Sequence, residues 1–129
     1  MKKLRFVLIL LSLIFLGAPL VAADMGEYLK DSKGMTLYWF TKDGKDMSAC
    51  MGGCLEKWPI FYDENAAASM PGTDPEDFGT LTRSDGKMQT TFRGYPLYYF
   101  FKDMAAGDEN GEGMKGVWYM VDPDNFPPK

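Results

Sequence analysis

A small antiparallel all-β domain, built from two tandem repeats with pseudo-two-fold symmetry, is the fold class that the sequence predicts. Three observations lead there. The chain repeats itself at an offset of 60 residues. Its most regular segments are rich in Tyr, Trp and Phe, which fit the pleated, half-buried surface of a strand. No stretch carries the length and 3.6-residue period of an amphipathic helix.

The repeat is plain in the letters. Gly34-Met35-Thr36-Leu37-Tyr38-Trp39-Phe40-Thr41-Lys42-Asp43 returns as Gly94-Tyr95-Pro96-Leu97-Tyr98-Tyr99-Phe100-Phe101-Lys102-Asp103. Gly26 and Gly86, Gly53 and Gly113, and Trp58 and Trp118 keep the same offset. Self-similarity of this kind marks repeated structural units. Repeat one covers about 24–63, a linker about 64–78, repeat two about 79–122, and a short Pro-rich tail follows.

Each unit reads as strands. Met35–Thr41 and Leu97–Lys102 are the central ones. Alternation sends Leu37, Trp39 and Thr41 to one face and Tyr38 and Phe40 to the other. Large apolar groups on both faces mean burial on both sides. Ser84-Asp85-Gly86-Lys87 is a turn between the hairpin arms Thr80–Arg83 and Met88–Arg93. Asp31-Ser32-Lys33-Gly34 has the same role between Tyr28–Lys30 and Met35–Thr41. Gly116–Val121 is a further strand and Ile60–Tyr62 a weaker one. Ser48–Lys57 has room for one helical turn.

Ahead of the repeats, residues 1–23 have the form of a cleaved signal peptide. Lys2, Lys3 and Arg5 precede an apolar run from Phe6 to Leu16, and Val21-Ala22-Ala23 is a small-residue cleavage site. Residues 24–129 are therefore expected as one exported β-rich domain, periplasmic or extracellular. Three of the fourteen basic residues and none of the eighteen acidic ones lie in the first 23. The net charge thus moves from −4 for the whole chain to −7 for the domain. Such a domain repels phosphate backbones, which argues against nucleic acid as a partner. The chain has no histidine. This excludes Ser-His-Asp and Cys-His catalysis and haem held by His. The only cysteines, Cys50 and Cys54, are expected as a disulfide in an oxidising compartment.

The twice-repeated Tyr-x4-Asp pattern, Tyr38…Asp43 and Tyr98…Asp103, resembles the bacterial secreted repeat of unknown function family. So do Ser48-Ala49-Cys50…Cys54-Leu55-Glu56-Lys57-Trp58-Pro59, Gly79-Thr80-Leu81-Thr82-Arg83…Asp85-Gly86 and Gly107-Asp108…Asn110-Gly111…Gly116-Val117-Trp118-Tyr119. The resemblance implies export and a tandem architecture, and it implies no activity. Its members are often lipoproteins. Here Asp24 follows Ala23 where a lipid-bearing Cys would stand, so no stable membrane anchor is expected.

Four groups of residues are candidates for chemistry. Tyr38, Asp43, Tyr98 and Asp103 could line a site or hold the repeats together, and the second role is expected. Met47, Cys50, Met51 and Cys54 offer soft sulfur for copper or redox chemistry, against the competing disulfide. Asp108, Asn110 and Glu112 imitate the start of an EF-hand calcium loop, but the twelfth position is Tyr119 and not Glu. Aromatic residues could form a platform for a sugar or planar ligand, although Trp58 and Trp118 are expected in the core.

The sequence requires no cofactor. The resulting expectation is a non-enzymatic exported binding or interaction module for an unknown protein or small molecule. The alternative is an extracytoplasmic copper or electron-transfer protein. A hydrolase using paired carboxylates comes last, because nothing singles out a pair.

Overall fold

The computed structural model describes residues 28–70 and 73–129. The expected signal peptide lies outside the described residues. Five short strands carry the fold: β1 (Tyr38–Phe40), β2 (Phe78–Thr82), β3 (Met88–Phe92), β4 (Tyr95–Pro96) and β5 (Trp118–Met120). Two short helices accompany them, α1 (Gly53–Lys57) and α2 (Ala66–Ser69). β1 pairs with β5, and β2, β3 and β4 form a second sheet in that order, all antiparallel.

The β2–β3 hairpin forms where expected. Arg83 N–H donates to Lys87 O at 2.8 Å and Gly86 N–H to Arg83 O at 2.9 Å. Gly86 takes a φ of 88°, a left-handed conformation that favours glycine.

Pairing then crosses between the repeats. Tyr38 N–H donates to Tyr98 O at 2.8 Å, and Tyr98 N–H returns a bond to Tyr38 O at 2.9 Å. On their far sides, Tyr38 lies opposite Met120 and Tyr98 opposite Ile60. Met120 and Ile60 are themselves repeat equivalents. Further bonds follow the same rule: Thr41 N–H to Val117 O at 2.8 Å, and Phe101 N–H to Lys57 O at 2.9 Å. The closing segment of each repeat thus pairs with the central segment of the other.

Several strands are shorter than their sequence predicts. Leu97–Lys102 is not a continuous strand: Tyr98 makes single-residue bridges, and regular pairing is confined to Tyr95–Pro96. Met35–Thr41 contracts to β1 with a bridge at Thr36, and Ile60–Tyr62 to a bridge at Ile60. Gly116 belongs to a 3-10 turn, so the last strand is Trp118–Met120. The cause is the change of partner. Hydrogen bonds along an antiparallel strand point alternately to opposite sides, and here the two sides belong to different segments. The linker is also more ordered than its composition indicates. It holds α2, and Ala66 and Met70 enter the core.

Alternation along β1 places the core correctly. Leu37 and Trp39 join one cluster, with Phe61, Phe92, Leu97 and Phe126. Tyr38 joins the other, with Trp58, Tyr98, Phe100, Trp118 and Met120, and Phe40 packs against it. Three rings stack in that second cluster, and a fourth, Phe100, leans on the end of the stack at a tilt of 35°. Phe40 lies on Trp118 at 4.1 Å, Trp118 on Trp58 at 3.8 Å, and Trp58 on Phe100 at 4.4 Å. Gly111 closes the cluster. A Cβ there would sit 2.9 Å from Trp58 and 3.0 Å from both Phe100 and Tyr38, so only glycine allows this approach. The Pro-rich tail is docked as well. Phe126 packs edge-on against Trp39 at 4.9 Å, and Arg93 donates to Pro123 O and Phe126 O.

Candidate functional site

The Tyr and Asp residues of the repeats interlock. Tyr38 Oη donates to Asp103 Oδ2 at 2.6 Å, and Tyr98 Oη donates to Asp43 Oδ2 at 2.7 Å. Each tyrosine therefore reaches the aspartate of the opposite repeat. The second oxygen of each carboxylate holds its own loop: Ala49 N–H donates to Asp43 Oδ1 at 2.6 Å, and Asn110 N–H to Asp103 Oδ1 at 2.9 Å. Both tyrosines have 0 % exposure, so these bonds satisfy hydroxyls that water cannot reach. Each motif side chain finds its partners inside the protein.

Burial pushes the Tyr38, Tyr98 and Tyr99 phenols well above the ordinary tyrosine value, and their carboxylate partners add to the rise. Tyr99 Oη donates to Asp31 Oδ2 at 2.7 Å. Burial likewise pushes Asp43 up, against the bonds from Ala49 and Tyr98 and the nearby Arg83 charge. A phenol whose folded pKa lies above its unfolded value contributes stability that is full below about pH 10 and lost as pH rises through the folded value. In an ultraviolet titration these three of the seven tyrosines are expected to stay protonated past pH 10 and to ionise only as near-ultraviolet dichroism collapses. Ionisation of all seven near pH 10 with the dichroism intact would contradict this assignment.

The two halves differ beside the motif. Near Tyr98 stands Arg83, whose side chain has 0 % exposure. Its Nη1 donates to Ser48 Oγ at 2.8 Å and Gln89 Oε1 at 2.7 Å, and its Nη2 to Cys50 O at 2.5 Å. Ser48 Oγ lies 2.6 Å from Tyr98 Oη. Because Tyr98 gives its proton to Asp43, Ser48 is the donor of that pair. A hydrogen-bonded chain thus runs from Arg83 through the half-buried Ser48 and on through Tyr98 to Asp43. Sequence reading missed Arg83 as anything but a hairpin residue. Its phase was the available signal, since it falls on the same strand face as Leu81.

The sulfur cluster is a disulfide and two thioethers. Cys50 and Cys54 are bonded with Cα atoms 5.3 Å apart, tying a buried residue to α1. Neither thiolate remains for copper or thiol exchange. Met47 and Met51 are exposed, and the Met51 sulfur accepts from Arg83 Nη2 at 3.4 Å, beside a positive charge.

The acidic loop is internally bonded. Asp108 Oδ2 accepts from Met104 and Ala105 N–H, Asn110 Nδ2 donates to Lys102 O and Asp103 Oδ1, and Glu112 Oε1 accepts from Met120 N–H at 2.8 Å. The candidate calcium ligands turn to separate partners. Among the described residues, no group of three or more His, Cys, Asp or Glu could hold a metal ion.

A cleft of about 300 Å³ lies between the β1–β5 pair and the docked tail. Trp39 and Tyr119 face each other directly across that pair and form one wall, and Phe126 forms another. Glu112, Asp122 and Asn125 line the opening. Glu112 Oε1 holds the edge of β5, and Asp122 Oδ1 accepts from Asp124 N–H at 2.9 Å. Among the described residues, the second oxygens of both carboxylates and the Asn125 side-chain amide have no hydrogen-bond partner.

Among the described residues, no helix is long and apolar enough to cross a membrane. No curated protein matches the chain, and no solved structure does. A family profile described as "Secreted repeat of unknown function" matches residues 20–61 and 79–122, one segment per repeat. These two segments account for well over half of the 129 residues, and the chain belongs to that family of tandem secreted repeats.

Proposed function

We propose that this exported protein is a non-enzymatic binding module that takes its ligand in the cleft walled by Trp39, Tyr119 and Phe126. Membership of a family of secreted repeats accords with export. The observation that carries the reading is a contrast in polar groups. The motif side chains Tyr38, Asp43, Tyr98 and Asp103 are all engaged internally. Glu112, Asp122 and Asn125 present polar atoms to an aromatic-walled opening. Apolar walls with a few convergent polar groups are the usual composition of a ligand site. The absence of histidine and the raised phenol pKa values support a non-enzymatic role, because neither a usual general base nor a ready phenolate is at hand.

The fold proposed with it is a pseudo-two-fold, its axis passing between Tyr38 and Tyr98. The support is the reciprocity of the bonds. Exchanging the repeats maps Tyr38–Asp103 onto Tyr98–Asp43, and maps the row of rings Phe40–Trp118–Trp58–Phe100 onto itself reversed.

Amide and indole NMR spectra of the 24–129 protein, recorded against a panel of small sugars, amines, carboxylates and peptides, test the function. A binder is expected to shift signals of Trp39, Tyr119, Asn125 and Phe126. Shifts confined to another surface, or turnover of the bound compound, would remove this reading.

A further inference from the structure

Resting on that reading, we infer that the cleft selects a cationic amine: an ammonium group on a short aliphatic body, as in a lysine side chain or a small diamine. Its charged residues are Glu112 and Asp122, and no Lys or Arg lines it. The carboxylates are held in place from behind. Glu112 Oε1 is fixed by Met120 N–H and Asp122 Oδ1 by Asp124 N–H, and each side chain keeps an oxygen for an incoming donor. An ammonium group has three donors and no acceptor, which complements two carboxylate oxygens and the Asn125 amide oxygen.

The walls favour the same ligand. The faces of Trp and Tyr carry negative electrostatic potential and attract a nearby cation, Trp most of all. Trp39 is held edge-on by Tyr95 at 5.8 Å and Phe126 at 4.9 Å and is only 9 % exposed, so its ring is fixed before a ligand arrives and the half-buried Tyr119 offers the more open face. A volume of about 300 Å³ is at the small end of ligand pockets and suits a short chain. A net charge of −7 over residues 24–129 draws cations toward the surface and repels anions. A neutral sugar could use the rings and hydrogen bonds, but it would not need the two negative charges.

The test titrates the 24–129 protein at low salt with four probes: 1,5-diaminopentane, Nα-acetyl-lysine methyl amide, cellobiose and glutarate. The Trp39 indole signal and calorimetry supply the readout. Both amines are expected to bind at the cleft and to weaken with added salt, while glutarate leaves Trp39 unchanged. The Glu112→Gln/Asp122→Asn double variant keeps both structural acceptor oxygens, so its thermal midpoint should hold while amine affinity falls about tenfold or more. The Glu56→Gln/Glu64→Gln variant makes the same charge change away from the cleft and should retain affinity. Equal amine binding by the first double variant overturns the inference. Cellobiose seated in the cleft with both amines inert also overturns it, yet leaves a binding module in place. No cleft response to any probe removes the amine site, and silence across the wider panel removes the module too.

Discussion

Replacing Trp118 with alanine is expected to lower the unfolding free energy by about 3–5 kcal/mol, the usual cost of emptying a large aromatic site in a core. Trp118 is 4 % exposed and touches rings on three sides. Phe40 and Trp58 stack on its two faces, and Tyr98 meets it edge-on at 5.1 Å. The variant opens a cavity between stacked rings that belong to different segments, and the cross-repeat bridge at Tyr38 and Tyr98 limits how far they can collapse. Trp58→Ala should cost a similar amount, because Trp58 holds the equivalent place against Phe100 and Tyr38. Total stabilities of small domains are about 5–15 kcal/mol, so either change removes a large share. Urea unfolding followed by far-ultraviolet dichroism measures it. A loss below about 1 kcal/mol for both variants would mean that the stack is not the centre of the core.

Arg83→Met is expected to cost about 3–5 kcal/mol, as breaking a buried charged network does. The loss comes from two buried acceptors left without this donor, Gln89 Oε1 and Cys50 O, and to a lesser degree from the half-buried Ser48 Oγ, which keeps the Cys50 N–H. Arg83 also lowers the pKa of Asp43, opposing burial there. Without Arg83, the Asp43 carboxyl rises further. Asp85, 3.6 Å from Arg83 Nε, loses its partner at the hairpin turn. Lysine cannot stand in. A single ammonium at the end of a flexible stem does not span acceptors that the planar guanidinium meets in a fixed fork. Arg83→Lys should therefore recover only part of the loss, and pairing Arg83→Met with Gln89→Leu should recover some by removing one stranded acceptor. Wild-type stability for Arg83→Lys in urea would show that the charge alone matters.

Different residues account for what was legible in the sequence and what was not. The offset of 60 and the alternation along Leu37–Thr41 foretold both the repeat and the two core clusters, because core placement follows local periodicity. The Ser84–Lys87 turn and the Cys50–Cys54 bond were equally local. The route of Tyr38 to Asp103 was not legible. Tyr38 and Asp43 stand together in the chain, and nothing local shows that each finds its partner in the other repeat. Strand lengths failed for the same reason, since a segment that changes partner at Tyr98 has the residues of a strand without its ladder. The acidic loop resembled a calcium site because composition alone does not say where Glu112 points. The cleft was hidden further still, since it joins Trp39 to Tyr119 and Phe126, some eighty residues further along the chain.

The reciprocal bridge between Tyr38 and Tyr98 also bears on how the chain assembles. A lone repeat would fold around a tyrosine hydroxyl whose acceptor lies on another unit, so its best complement is a second unit like itself. Such an encounter between separate molecules would depend on concentration. Joining the units by the 64–78 segment replaces that encounter with a tethered one, at an effective concentration on the order of millimolar. Dilution after export then costs the fold nothing, and the two halves are free to diverge in surface chemistry. The first repeat carries the disulfide, and the second carries Arg83 and, at the mouth of the cleft, Glu112.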